Sequence, residues 1–238
     1  MENKNQKNGE TLLKELNQLH KEGRIPTVER KIIPQKRWQK KAYPSGVHFN
    51  APKNPEEMGR YNDPTGRTSI CYTADYVVTA IAESYGRQYH KEEFFIDSND
   101  LSIAQLCSLE TTRDTKTIDM KLLVGVLHIP ADKIMGDDQS ITREVTDWAA
   151  NMPDTPYDGI TYRSRHYDMG TCTAFWIRPG QDSPLKTVDM TSVDKYIDTD
   201  KANFPPGWNE IDIDGTEIVT ETLRFTVVSN NKMPKLVI

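Results

Sequence analysis

Residues 59–84 read GRYNDPTGRTSICYTADYVVTAIAES, and three kinds of local order follow one another in them. GRYNDPTG carries Asn, Asp, Pro and Gly at turn positions, so it predicts a rigid turn pair around Arg60, Tyr61 and Asn62. SICYT, with its β-branched and aromatic residues, predicts a short strand over Ser69–Thr73. Asp75 is placed to cap a helix over about Tyr76–Ser84, with Val77, Ala80, Ile81 and Ser84 on one side and Gly86 as its stop. Turn, strand and helix in that order put an arginine, the strand tyrosine Tyr72 and a carboxylate, Glu83, within 25 residues. An acidic side chain on an otherwise apolar helix either faces solvent at the helix end or projects into a cleft. A helix N-terminus, an arginine, an aromatic ring and a carboxylate together suit an anionic ligand that develops positive charge as it reacts.

Upstream, residues 44–66 are turn-rich throughout. Residues 1–42 hold eleven Lys and Arg against five Glu, a charge of +6, while the remainder of the chain carries −11. Within this leader Leu12, Leu13, Leu16 and Leu19 recur at helical spacing, opened by Thr11 and closed by Gly23. Its plain reading is a solvated basic arm over residues 1–35, and the alternative is a partner-binding or self-association helix. Downstream, DLSIAQLCSL and TIDMKLLVGVL read as helical or mixed apolar segments. SITREVTDWAAN reads as a helix capped by Ser140, with Ile141, Val145, Trp148 and Ala149 inward. GITYRS and TCTAFWIR read as two strands. The tail, EIDIDG followed by EIVTETLRFTVVS, reads as a β-rich extension over 181–238. Strands interleaved irregularly with helices imply an α+β fold, with its central domain over 36–180.

The bulk numbers exclude several classes. The chain has 238 residues, 36% hydrophobic and 27% charged, with 30 Lys and Arg against 35 Asp and Glu and a net charge of −5. That length buries a core readily. The acidic balance argues against a surface built on counterion release to nucleic acid. No run of 18 apolar residues predicts a membrane span. MENKNQKNGE has no apolar stretch behind it and does not read as a secretory signal, and three widely spaced cysteines (Cys71, Cys107, Cys172) read as reduced buried thiols in a cytoplasmic protein. The five histidines show no metal spacing, and no phosphate-binding glycine loop or GxSxG elbow occurs. DIDGTE at 212–217 imitates a calcium loop only in part and reads as a turn.

GRYNDPTG-x4-CYTADYVVTAIAE resembles the opening signature of the RES-domain toxins, a family named for an Arg, a Glu and a Ser. The likeness extends to Gly136, Asp137, Asp138, Ser140 and Trp148, then to the strands Asp158–Arg165 and Cys172–Trp176. The family's upstream tyrosine–arginine–aromatic motif has its counterpart in Lys36-Arg37-Trp38, with a lysine in place of the aromatic. The resemblance spans roughly residues 36–180. It implies a compact fold similar to the ADP-ribosyltransferases, and cleavage of the nicotinamide–ribose bond of NAD+ by water or phosphate. NAD+ is then the substrate, with no metal or further cofactor. It also implies a helix-turn-helix antitoxin as partner; assembly into a homo-oligomer is left open by the sequence.

On that footing the catalytic set is Arg60, Glu83, Tyr72 and Ser140, and the substrate-binding set Arg37, Trp38, Tyr61 and Ser164. Nicotinamide leaves as a neutral base, so no general acid is required, in contrast to ordinary glycoside cleavage. One carboxylate, Glu83, suffices to stabilise an oxocarbenium-like transition state and orient the acceptor. Arg60 and Arg37 suit the pyrophosphate through bidentate bonds. Tyr72 offers a stacking face to the nicotinamide ring. Ser140 suits the ribose or a phosphate. Arg163 and Ser164 read as second-rank, more structural than chemical. Two other readings fit the same residues: an ADP-ribosyltransferase acting on a macromolecule, and a non-catalytic nucleotide-binding module.

Overall fold

The computed structural model describes residues 3–89, 95–204 and 212–229. In chain order the elements are α1 (Asn3–Lys21), β1 (Thr27–Arg30), β2 (Pro34–Gln39), β3 (Ser69–Ala74), α2 (Val77–Tyr89), β4 (Ile96–Asp97), α3 (Ser98–Ile103), β5 (Gln105–Thr111), β6 (Thr115–Asp119), α4 (Met120–Val126), α5 (Ala131–Met135), α6 (Ser140–Ala150), β7 (Gly159–Arg163), β8 (Thr171–Ile177) and β9 (Leu185–Ser192). Short pieces follow: β10 (Ile197–Asp198), β11 (Ile213–Asp214), α7 (Gly215–Glu217) and β12 (Val227–Val228). The fold is mixed α+β, as expected.

One eight-stranded sheet organises the chain, in the order β1-β6-β7-β8-β3-β2-β5-β9. All neighbours are antiparallel except β6 and β7. β1 and β2 stand five strands apart in this order, about 24 Å on a flat sheet at the usual strand spacing. Only Lys31–Ile33 join them, which span about 14 Å at most. The sheet therefore rolls up, and Arg30 closes the roll by bonding Asp75 Oδ1 at 3.1 Å. Inside the roll, the buried hydroxyls of Thr117 and Thr161 (2.6 Å) and of Thr161 and Thr173 (3.2 Å) link neighbouring strands, and Thr73 donates to Gln35 Oε1. These β-branched residues suit strands, and the mutual bonds satisfy groups that burial would otherwise penalise.

Asp75 is thus committed to Arg30 and to Gln35 Nε2 (3.5 Å), and no cap on α2 is formed by it. Gly86 does not end α2, which runs on to Tyr89. A Cβ there would lie 2.4 Å from the His166 ring, so glycine is needed for close approach.

The leader is not a solvated arm. Leu12, Leu16 and Leu19 of α1 are buried in one cluster with Ile118, Val145, Ile160 and Ala174, so their apolar face is spent inside the molecule. Polar contacts fix the register: His20 Nδ1 meets Tyr157 OH at 2.9 Å, and Trp148 Nε1 donates to Asn17 Oδ1 at 2.9 Å. In the tail, β9 extends the main sheet as its edge strand, but EIVTET is helical across Gly215–Thr222. Asp214 and Glu217 form a capping box that starts that helix, which is what DIDGTE encodes. Among the described residues of the tail's second half, Ile213–Asp214 pairs with Ile197–Asp198 and Val227–Val228 with Ile96–Asp97, each as a two-residue strand.

Candidate active site

The cleft opens where the sheet splits. β2 pairs with β5 along all six of its residues but with β3 at Lys36↔Ala74 alone. Beyond that point the strands part, and Asn50 pairs with Ile70 at the far end of β3. The gap forms a cleft of about 1000 Å³, walled by β2, β3, the end of β7 with the turn that follows it, Cys172 of β8, the Gly59–Tyr61 turn and the side of α2 that carries Ala80, Glu83 and Ser84. Although the protein is acidic, Lys36, Arg37, Lys40, Arg60, Arg163 and Arg165 line this cleft against the carboxylates of Glu83 and Asp137.

The motif around Arg60 is a scaffold of buried polar bonds. Asn62 Oδ1 accepts from Gly59 N (2.7 Å) and from the Tyr72 hydroxyl (3.0 Å), while that hydroxyl accepts from Tyr61 N at 3.0 Å. Asp63 collects the amides of Thr65 (2.8 Å) and Thr68 (2.9 Å). The turn therefore cannot drift relative to β3. From it Arg60 reaches the carbonyls of Ile134 and Gly136, the latter at 2.9 Å. Burial pulls the Arg60 guanidinium below the ordinary arginine range, and the nearby Arg165 charge pushes the same way.

Glu83 projects from α2 into the cleft, at mid-helix rather than at its end. Its Oε1 accepts from Ser164 Oγ (2.6 Å), Arg165 N (2.8 Å) and His166 N (3.4 Å). Ser164 Oγ in turn accepts from His166 N (3.2 Å) and Tyr167 N (2.9 Å). The carboxylate is thus cradled by the turn after β7. All three bonds fall on Oε1, which leaves Oε2 available to a ligand.

The expected residues divide accordingly. Arg60, Tyr72, Glu83 and Trp38 line the cleft together, and Ser164 stands behind Glu83. Ser140 does not join them. It is exposed as the first residue of α6, so the cap position falls to Gln139 and not to the serine, whose amide donates to Asp138 Oδ1 at 2.9 Å. Arg37 also lines the cleft, with its NH1 turned to structure: it donates to the carbonyls of Gly46 (3.0 Å) and His48 (3.2 Å) and contacts Cys71 Sγ. Tyr61 is 1% exposed and forms the cleft floor, its ring 4.4 Å from that of Tyr162. Trp38 also packs on Tyr85, at 4.6 Å between ring centres.

Tyr162, Arg165 and His166 line the cleft without having been singled out in the sequence. Alternation in GITYRS carries a signal for Tyr162, which lies opposite Cys172 on the neighbouring strand. Arg165 had only its position beside Ser164.

The RES-domain profile matches residues 29–193. The chain belongs to the RES-domain family. Its RES domain thus takes in the end of β1 and all of β9. A solved relative is the crystal structure of the M. tuberculosis MbcT–MbcA toxin–antitoxin complex, with a TM-score of 0.55 and 16% identity over 90% of this chain and 96% of that one. At that identity the likeness is one of fold. No curated protein matches the chain. Among the described residues of this RES domain no His, Cys, Asp and Glu cluster is placed to hold a metal, and no helix is long and apolar enough to cross a membrane.

Proposed function

We propose that this RES-domain protein cleaves the nicotinamide–ribose bond of NAD+. The observation that carries the reading is the Glu83 carboxylate, held on one oxygen by Ser164 and the Arg165 amide inside a cation-lined cleft. Departure of neutral nicotinamide leaves an oxocarbenium-like ribose. A fixed carboxylate beside it stabilises that charge with no reorganisation at the moment of reaction. Water or phosphate then adds to the anomeric carbon, giving ADP-ribose or its 1-phosphate, and Glu83 orients the acceptor. The Tyr72 ring bounds the cleft as a stacking surface for the nicotinamide.

The decisive experiment incubates the purified full chain with NAD+, with and without phosphate, and quantifies free nicotinamide and ADP-ribose products. Release that Glu83→Gln slows by on the order of 10²-fold or more supports the reading. NAD+ that survives long incubation with folded protein overturns it, and label transferred from NAD+ onto a macromolecule moves the protein to the transferases.

We infer further that the protein acts as the toxin of a cytoplasmic toxin–antitoxin pair whose helix-turn-helix partner blocks the cleft. The family and a fold shared with the toxin of a toxin–antitoxin complex support this. Growth arrest with falling NAD+ on expression alone, relieved by co-expression of a small helix-turn-helix protein from the neighbouring reading frame, is the expected result.

A further inference from the structure

Arg60, on the Gly59–Tyr61 turn, and Arg165, on the turn after β7, both line the cleft and are tied to the same four residues. Arg60 holds the carbonyls of Ile134 and Gly136 at the end of α5, and Arg165 NH2 meets Asp137 Oδ1 at 3.0 Å. The two partners differ in kind. Carbonyls at the end of α5 are fixed backbone, whereas the Asp137 side chain is 95% exposed and loses little by letting go. The Arg165 side chain is 35% exposed, so its charge is partly desolvated beside a like charge. Of the other cleft cations, Arg163 pairs with Asp168 at 2.6 Å and Lys36 donates to Ser108 Oγ at 3.0 Å, Arg37 holds carbonyls outside the 134–137 segment, and Lys40 is exposed just past the end of β2. Arg165 alone also joins the anion-binding wall to the carboxylate, through its amide on Glu83 Oε1.

We propose that Arg60 and Arg165 form a two-arginine diphosphate site in which Asp137 is the resting counter-ion, displaced when the diphosphate of the substrate enters. The inference deepens the NAD+ reading and rests on it for the identity of the substrate. It assigns Arg165 to substrate binding and makes Asp137 a built-in competitor for the site. A guanidinium exchanges one carboxylate for a bidentate phosphate contact with better geometry and more charge. An aspartate that merely braced the mouth of the cleft would make the opposite prediction, because removing it would loosen the arginine.

The test is calorimetric titration of the full chain with inorganic pyrophosphate and with ADP-ribose. Asp137→Asn is expected to tighten both by about 3-fold, as removal of an exposed competing charge permits. Arg165→Ala is expected to weaken both by about 10-fold or more, and Arg165→Lys, which keeps the amide on Glu83, by an intermediate factor. Melting curves establish that each variant is folded. Unchanged or weaker binding by Asp137→Asn overturns the proposal, as does an unchanged dissociation constant for both Arg165 variants. These arms do not depend on turnover. The expected pattern without nicotinamide release sinks the NAD+ reading and leaves the diphosphate site standing; release with no response in the variants does the reverse.

Discussion

Ser164 donates its hydroxyl proton to Glu83 Oε1 at 2.6 Å, joining two residues 81 positions apart in the chain. The same hydroxyl accepts from the amides of His166 and Tyr167, so the serine is locked by the turn that it closes. Its role follows from this geometry: it fixes the carboxylate rather than attacking anything.

Removing the hydroxyl therefore acts through Glu83. Ser164→Ala is expected to lower the rate of nicotinamide release by about 10- to 100-fold with little change in KM. Glu83→Gln should cost on the order of 10²–10³ in rate, the usual toll of losing a preorganised electrostatic contact. The double variant should cost little more than Glu83→Gln alone, since the serine has no role once the carboxylate is gone. Initial rates on NAD+ for the four proteins check this.

Much of this arrangement is legible in the sequence, and the parts that are not share a physical reason. GRYNDPTG announces its turn because Asn62 and Asp63 act on amides within five residues of themselves. The strand and helix that follow show their periodicity locally. Ser164 reads as second-rank and Ser140 as a site residue because only tertiary packing decides which serine reaches Glu83. Arg37 reads as a clamp for a related reason: a sequence shows its charge but not the carbonyls of Gly46 and His48 that take up its NH1. The tail misleads in another way. Val, Ile and Thr in EIVTET suit a strand, but the capping box of Asp214 and Glu217 starts a helix, and context overrides β propensity.

Arg37→Ala separates the two readings of that arginine. Because the side chain donates to two carbonyls at the loop over β2, one exposed and the other also bonded by Gln39 Nε2, its loss should destabilise the fold by about 0.5–1.5 kcal/mol, the net worth of an ordinary hydrogen bond. KM for NAD+ should change by less than about 2-fold. Denaturant titration alongside steady-state kinetics checks both halves, and a large rise in KM at unchanged stability would restore the clamp.

The leader is expected to behave as core. Leu16 is fully buried among residues from the sheet, α4 and α6. Leu16→Ala should cost about 2–5 kcal/mol, as large-to-small changes at such sites do, whereas Leu13→Ala, at a position 37% exposed, should cost well under half as much. Urea unfolding followed by far-UV circular dichroism measures the difference. Equal and small effects would return α1 to the status of an arm.

Alkaline pH should unfold the protein through its buried acids. Burial pushes the Cys107 thiol up to about 11 from 9.0, despite the opposing pull of Arg37, and pushes Cys71 and Cys172 up as well. Burial does the same to the Tyr61 and Tyr162 hydroxyls. For each group the unfolded chain gives up its proton at a lower pH than the folded one. Between about pH 9 and 11 the folded state therefore binds more protons than the unfolded state, and stability falls as pH rises. Below pH 9 this contribution is complete and flat. Thermal melts from pH 7 to 10.5 should show a plateau followed by a steady decline, and Cys107→Ala should make that decline shallower. The thiols should also resist alkylation at pH 8 until denaturant is added, because burial suppresses the thiolate that reacts.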